Sequence, residues 1–227
     1  MSSSNVLRLG ALAGIAYVVL QMVGLIAGNL ASTAPFSIFP STSQAARIAA
    51  TATPQGVWIG LGLAVLSVPF FVVFAVRLWI ALRGAAADVS LLPTTALIAA
   101  GVAATLSLAS FAVAAALDAS AGHGLDSQGA MILSYLSSTM DMSNWPVLGL
   151  FLIAAGVAGV RERSLPAWTA WAALPVGVAT AVADLAATSD LAQMVQLLPL
   201  LWIIATSIAL VARPGRAAQS SKVMIGA

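Results

Sequence analysis

Residues 57–76 read VWIGLGLAVLSVPFFVVFAV, an uninterrupted run of 20 residues without a charged side chain. At about 1.5 Å per residue, a helix of this length covers the ~30 Å hydrocarbon core of a bilayer. Because lipid offers no hydrogen-bonding partner to the backbone, such a run must form a helix rather than an open strand. This stretch therefore predicts a membrane-spanning helix.

The rest of the chain has the same character, since 61% of its 227 residues are apolar and only 7% are charged. A soluble domain carries about 25% charged residues, and a disordered chain has low hydrophobicity, so both classes are excluded. The sequence predicts an all-α fold, a polytopic helical membrane bundle of six transmembrane helices. Residues 1–216 form its single membrane domain, and residues 217–227 form a cytoplasmic tail that we expect to be disordered. The predicted spans are 9–30, 57–76, 94–117, 144–160, 167–187 and 191–212.

The basic residues predict the orientation of the bundle. When the spans are threaded alternately from a cytoplasmic N-terminus, eight of the nine Arg and Lys residues fall inside and only Arg47 falls outside. Positive charge is enriched in cytoplasmic loops. We therefore predict a multi-pass protein of the bacterial plasma membrane with both termini cytoplasmic. The first span is interpreted as retained rather than as a signal peptide, because its uncharged run continues past Ile26.

Two further segments are expected at the outer surface. Residues 43–50 read SQAARIAA and predict a short helix in the first outer loop. Residues 129–160 contain one charge, Asp141, and are too long for one simple span. Within them, Ser143 or Asn144 suits a helix cap and Pro146 suits the first turn of a new helix. We therefore predict an outer interfacial or re-entrant helix over 129–143, followed by a short fourth span.

Small residues on the first span predict close helix packing. At about 100° per residue, four glycines share one narrow face: Gly10, Gly14, Gly24 and Gly28. Glycines spaced by four allow helix backbones to approach closely in lipid. The second span offers Gly56 and Gly60 as the partner face. Internal packing is the simpler interpretation, and the alternative is a seam with a second copy or with another membrane protein.

Polar side chains indicate a candidate cavity. The most informative set lies before the fourth span, within an arc of roughly 100°: Ser134, Ser137, Ser138 and Asp141. Two interpretations remain open, because this stripe either faces open water from an interfacial helix or lines an outward-facing cavity in which Asp141 holds a cation or a proton. Additional candidates for the cavity are Gln21, Asp184, Gln193 and Gln196.

Missing residue types exclude several chemistries. The chain has no Cys and only His123, which excludes thiolate metal sites and haem held by two histidines. Its only Lys is Lys222 in the tail, so no Schiff base forms inside the bundle. We expect no enzyme activity, metal, cofactor or nucleic-acid partner, and a lipid bilayer as the surroundings. The predicted function is a small-solute carrier or permease-like bundle; the alternative is an accessory or scaffolding membrane subunit that packs through the glycine face.

Several short motifs are similar to a known group of proteins. The stretches are LGALAGIAY at 9–17, the outer loop with Pro35 and SQAA at 43–46, the end of the second span from Phe70 to Arg83, and RSLPAW at 163–168. They resemble actinobacterial multi-spanning membrane proteins of unknown function, loosely and over most of the chain. The resemblance implies a helical membrane bundle without an assigned activity, so it transfers no site residue to this sequence.

Overall fold

The computed structural model describes residues 3–31, 40–83, 91–183, 185 and 194–212. Within these residues the secondary structure is helical, which confirms the predicted all-α class. The predicted tail at 217–227 lies outside the described residues. The seven described helices are α1 (Ser3–Ala31), α2 (Thr42–Ala50), α3 (Gln55–Arg83), α4 (Leu91–Ser120), α5 (Ser127–Arg161), α6 (Ala167–Ala183) and α7 (Leu197–Ala212).

Four of the described helices are long and apolar enough to cross a membrane, namely α1, α3, α4 and α5. Helices α6 and α7 are also apolar, but they contain 17 and 16 residues. At 1.5 Å per residue they cover about 24 to 26 Å, which is short of the ~30 Å hydrocarbon core. The described residues therefore form a helical fold in which four helices are long and apolar enough to span a membrane.

All helices except α2 pack side by side in a closed circle. The order around this circle is α1, α3, α4, α5, α6 and α7, and α7 packs back onto α1. Helices α1 and α3 run antiparallel, because Gly24 lies beside Gly60 whereas Gly10 lies beside Arg77. Apolar side chains from all six helices fill the centre. The six helices therefore enclose one common interior.

Backbone-to-backbone contact joins α1 to α3. A Cβ atom at Gly24 would lie 2.7 Å from the carbonyl oxygen of Gly60, and a Cβ at Gly60 would lie 2.6 Å from that of Gly24. Both distances are shorter than real contacts of a side chain, so only glycine fits. A Cβ at Gly14 would meet the Phe74 ring at 2.6 Å and also contact Ser207 of α7. The glycine face of α1 is thus occupied by helices of the same chain.

A second glycine contact joins α5 to α6. A Cβ at Gly149 would lie 2.6 Å from the carbonyl oxygen of Gly177, and a Cβ at Gly177 would lie 2.9 Å from that of Gly149. Two turns further along, a Cβ at Gly156 would lie 2.9 Å from the Ala170 carbonyl oxygen. Close approach of backbones is the usual way in which helices gain contact in lipid. The two tightest seams of the circle are therefore α1 with α3 and α5 with α6.

Helix α5 differs from the sequence prediction. A break at residues 144–146, with a separate interfacial or re-entrant helix over 129–143, was wrong, because α5 is one helix of 35 residues. The side chains expected to cap a new helix are engaged elsewhere. Ser143 donates to the carbonyl of Thr139 within the helix, and Asn144 donates to the Ser107 hydroxyl on α4. Pro146 removes only one backbone donor, a loss that packed membrane helices tolerate.

The start of α5 is set instead by Asp126. Its carboxylate accepts the backbone N–H of Gly129 at 2.7 Å, as an N-cap does. Asp141 consequently lies 14 residues after the start of α5 and 20 before its end. The correction moves this carboxylate from the outer surface to the middle of a long apolar helix.

The predicted short helix of the first outer loop corresponds to α2. Ser41 caps it, since its backbone N–H donates to the Gln44 side chain at 2.7 Å and its hydroxyl accepts the Gln44 N–H at 3.4 Å. The carbonyl of Ala49 accepts the N–H of Gly122 at 2.8 Å. This bond ties α2 to the turn between α4 and α5, at the end of the circle where α5 begins.

We expect Gly24→Ala and Gly60→Ala each to destabilise the protein by roughly 1 to 3 kcal/mol, because the added methyl group overpacks the α1–α3 contact. Thermal unfolding of the purified protein in detergent measures the effect. The matched control is Gly62→Ala on α3, where a Cβ meets nothing within 4 Å. This control should be neutral or slightly stabilising, since alanine favours helix over glycine. An equal loss in all three variants would contradict the assigned contact.

Candidate functional site

Asp141 is the carboxylate around which the candidate site is built. Among the described residues, the other carboxylates lie at or within two residues of a helix end: Asp118, Asp126 and Glu162. Asp141 alone lies in the middle of a helix. Its side chain is exposed, the indole of Trp145 hydrogen-bonds to its carboxylate, and Tyr17 of α1 lies within electrostatic range. A charged group at this depth is expensive in lipid and is a functional-site candidate by default.

The direction of Asp141 follows from its position on α5. At about 100° per residue, Asp141 lies between Ser137 and Gly149, about 40° from the first and about 80° from the second. Ser137 contacts α4, and Gly149 contacts α6. Leu152, only about 20° from Asp141 around the helix, is fully buried. Asp141 therefore lies on the side of α5 that faces the interior of the circle.

Hydrogen-bonded polar pairs cross between neighbouring helices of the circle. Ser67, which is fully buried on α3, donates to the Gln21 side chain of α1 at 2.9 Å. On the other side of the circle, the hydroxyls of Ser110 and Ser137 lie 3.3 Å apart. The polar atoms of these pairs satisfy one another, which is how hydrogen-bonding groups are accommodated among membrane helices. They place satisfied polar groups at the α1–α3 and α4–α5 contacts, and Ser137 lies one turn before Asp141 on α5.

One acceptor of this region is left without a partner. The side-chain nitrogen of Asn144 donates to Ser107 at 3.0 Å, while its oxygen Oδ1 is buried and accepts no hydrogen bond. Asn144 lies three residues after Asp141, so both side chains share one side of α5. A carboxylate and an amide oxygen are the ligand types that hard cations prefer. Chemically, this part of the site is able to receive a cation or a proton donor.

An aromatic row closes the interior on the other side of Asp141. Ring centroids lie 5.1 Å apart for Tyr17 and Phe71, 5.7 Å for Phe71 and Phe151, and 6.1 Å for Phe151 and Trp202. The row joins α1, α3, α5 and α7 across the centre of the circle. Phe71, Phe151 and Trp202 are buried, at 4%, 1% and 4% exposure. The interior therefore passes from polar groups around Asp141 to a closed apolar layer.

The predicted cavity residues are placed as follows. Ser134 donates to the Ala130 carbonyl of its own helix at 2.8 Å, and Ser138 has an interaction partner. Gln196 lies half-buried in the turn before α7. Asp184 and Gln193 lie outside the described residues. The structure thus places Ser137 one turn before Asp141, at the contact with α4, and Gln21 at the contact of α1 with α3, while Ser134 bonds within α5.

Sequence reasoning missed the closest neighbours of Asp141. Trp145 was not among the predicted site residues, and Asn144 was interpreted only as a helix cap. Their spacing of four and three residues from Asp141 was the available signal, because such residues are neighbours on one helix surface. No comparable signal in the sequence indicated that Tyr17 lies near Asp141, because Tyr17 belongs to a helix more than a hundred residues away in sequence. Only the packing of the circle brings it near.

The acidic and His residues of the loop between α4 and α5 have structural partners. Asp118 accepts the Thr53 hydroxyl at 3.3 Å, and His123 Nδ1 lies 3.0 Å from the Ala121 carbonyl oxygen. Asp126 caps α5. Over the described part of the chain, no group of three or more potential metal ligands occurs. These residues fix the loop at the start of α5.

Comparison with known proteins gives no relative, since no family model, no curated protein and no solved structure matches the chain. The resemblance to actinobacterial membrane proteins therefore stays a prediction. Function has to be inferred from the geometry around Asp141.

Access to Asp141 is directly measurable, because the chain has no native cysteine. We expect a cysteine introduced as Asp141→Cys in membrane vesicles to react with a membrane-impermeant maleimide, from the same side as the exposed residue Gln128 in a Gln128→Cys control. Leu152→Cys, next to Phe151 of the aromatic row and fully buried, should stay unlabelled. The expectation is that the interior around Asp141 opens toward the start of α5. It would be contradicted if the cysteine at position 141 failed to react with the maleimide, or if the cysteine at position 152 reacted.

Proposed function

We propose that this protein is a small-solute carrier in which the Asp141 carboxylate binds the cation or proton that accompanies the solute. The single observation that carries this proposal is the position of Asp141. It is an exposed carboxylate at the middle of a long apolar helix, on the side that faces the interior of the helix circle. Intramembrane carboxylates are rare and mark ion pathways and proton relays.

The chemistry of binding follows from the groups at this level. The Asp141 carboxylate supplies a negative charge, and the unpartnered Oδ1 atom of Asn144 supplies a second oxygen. Binding a proton or a cation there neutralises the carboxylate, which lowers the cost of keeping it at the middle of a membrane helix. A solute would then lie among the polar pairs of α1, α3 and α4. Charge neutralisation is thus the step that couples the ion to the solute.

Release on the other side requires the aromatic row to open. Pro146 lies between Asp141 and Phe151 on α5, and it leaves the Met142 carbonyl without its usual helical donor. The hydrogen-bond ladder is therefore weaker there than elsewhere on α5, so the helix bends most easily at this level. A bend at Pro146 moves Phe151 relative to Asp141, which would separate Phe151 from Phe71.

We also infer six spans with both termini in the cytoplasm of a bacterial cell. The closed circle supports this topology, because the apolar helices α6 and α7 pack against α5 and α1 and so complete it. The distribution of basic residues supports the orientation, with only Arg47 on the outer side. In this orientation Asp141 opens toward the outside, and the aromatic row closes the path to the cytoplasm.

The alternative, an accessory or scaffolding subunit, has less support. It relied on the glycine face of α1 as the surface for a partner. That face is occupied by α3 and by Ser207 of α7, so a partner would need a different surface. The position of Asp141 would also have no purpose in a purely structural subunit, where a leucine would pack at lower cost.

Transport in proteoliposomes tests the carrier proposal. We expect that measuring the currents induced by a panel of amino acids, sugars and small organic ions will identify a transported solute. Asp141→Asn should then lower its uptake by about ten- to hundred-fold, because a bound charge loses its partner. Asp126→Asn is the control, since asparagine still caps α5 while the same charge is removed. Equal uptake by wild type and Asp141→Asn would remove Asp141 from the mechanism, and a tightly co-purifying partner without any flux would favour the subunit alternative.

Reporter fusions test the inferred topology. We expect alkaline phosphatase fused after Gly124 to be active, because that turn lies outside, and fusions after Arg163 and Ala212 to be inactive. Green fluorescent protein at the same three positions gives the reciprocal control. Phosphatase activity after Ala212 would mean that α6 and α7 do not both span the membrane.

A further inference from the structure

A groove lies on the outer surface of the circle, between α1 and α3, on the face away from Asp141. Its volume is about 520 Å³, and it runs from Val6 and Ile80 at one end to Ala16 and Phe70 at the other. The walls are apolar and open to the surroundings, with Leu9 53% and Val73 49% exposed. From Val6 to Ala16 the groove covers about 15 Å along α1, half of the ~30 Å hydrocarbon core.

One charged residue lines this groove, and it lies toward the Val6 end. Arg77 is only 7% exposed, and its side chain packs over Gly10, where a Cβ atom would lie 3.0 Å from the Cβ of Arg77. Its Nε atom donates to the Leu7 carbonyl at 3.0 Å. Within the described part of the chain, no carboxylate forms an ion pair with Arg77.

A buried guanidinium without a counterion is costly, so its surroundings should supply an anion. The described hydrogen bond to Leu7 uses the Nε donor of Arg77, and the fork of a guanidinium matches phosphate oxygens in geometry. Leu7 lies about 6 Å from the start of α1, a depth from which an arginine side chain reaches the headgroup layer. The charge thus lies where a lipid phosphate lies.

We propose that this groove binds an anionic phospholipid, with the phosphate on the Arg77 guanidinium and one acyl chain along α1 and α3 toward Phe70. The apolar length, the position of the charge at one end and the lack of a carboxylate partner among the described residues all match one amphiphile. In the orientation inferred above, this lipid belongs to the cytoplasmic leaflet. The site goes beyond the carrier proposal and does not depend on Asp141.

A second copy of the chain fits the groove less well. A symmetric dimer through this face would place two Arg77 side chains near each other without an intervening carboxylate. Like charges in a low-dielectric contact repel strongly. The exposed wall residues Leu9, Leu12 and Val76 carry no group that would neutralise them. A lipid supplies both the anion and the hydrocarbon.

Native mass spectrometry of the full chain, delipidated in detergent, measures lipid binding directly. We expect phosphatidylglycerol to bind, phosphatidylcholine to bind about ten-fold more weakly, and inorganic phosphate alone not to bind, because the site needs both charge and chain. Arg77→Gln should weaken phosphatidylglycerol binding by about ten-fold. Arg83→Gln, on the same helix but outside the groove lining, should leave it unchanged.

A second pair of variants keeps the test independent of folding at Arg77. Val73→Trp fills the groove from an exposed position and should abolish phosphatidylglycerol binding, while Ile98→Trp on α4, 62% exposed, should not. Equal binding of both lipids, equal loss in Arg83→Gln, or binding unchanged by Val73→Trp would overturn the proposal. A dimer that persists after delipidation and is broken by Val73→Trp would assign the groove to a second copy instead.

Discussion

The contact between the backbones of Gly24 and Gly60 is the constraint on which the rest of the circle depends. It sets the distance and the register of α1 against α3 over their whole length. At this register, Gln21 meets Ser67, Tyr17 meets Phe71, and Gly10 leaves room for Arg77. A polar pair, the start of the aromatic row and the lipid groove are therefore consequences of one glycine seam. In lipid, where apolar burial gives helices little reason to associate, such close contact is the main source of specificity.

The composition of the chain made the all-α membrane class predictable, because 7% charge cannot solvate a soluble fold of this size. The apolar runs also located the helices, and the glycine spacing marked the face on which α1 packs. These features are local or periodic in the sequence, so they predict structure without knowledge of which helices pack together. Helix ends extended beyond the apolar cores, as for α3, which reaches Arg83 rather than residue 76. Residues that follow an apolar run, including polar and basic ones, remain helical when the helix packs against its neighbours.

The break that was wrongly predicted in α5 shows the limit of inference from local sequence patterns. The segment Ser143-Asn144-Trp145-Pro146 has the residue types of a helix start, but each polar side chain found another partner. For Asn144 that partner is Ser107 on α4, a long-range contact that no local pattern contains. The candidate site was affected in the same way. Asp141 was identifiable as an isolated charge, whereas its depth and its proximity to Tyr17 required the tertiary packing of α1 against the other helices.

The two glycine seams also determine where the circle is able to move. Helices α1 and α3 are locked through Gly24 and Gly60, and α5 and α6 are locked through Gly149 and Gly177. Neither pair can separate internally without losing backbone contact over several turns. The aromatic row crosses between them, because Phe71 belongs to the first pair and Phe151 to the second. An edge-to-face ring contact is worth only about 1 kcal/mol, far less than a packed helix seam. For a carrier of the kind proposed, the least costly opening is therefore a relative rotation of the two pairs that separates these rings and leaves both seams intact.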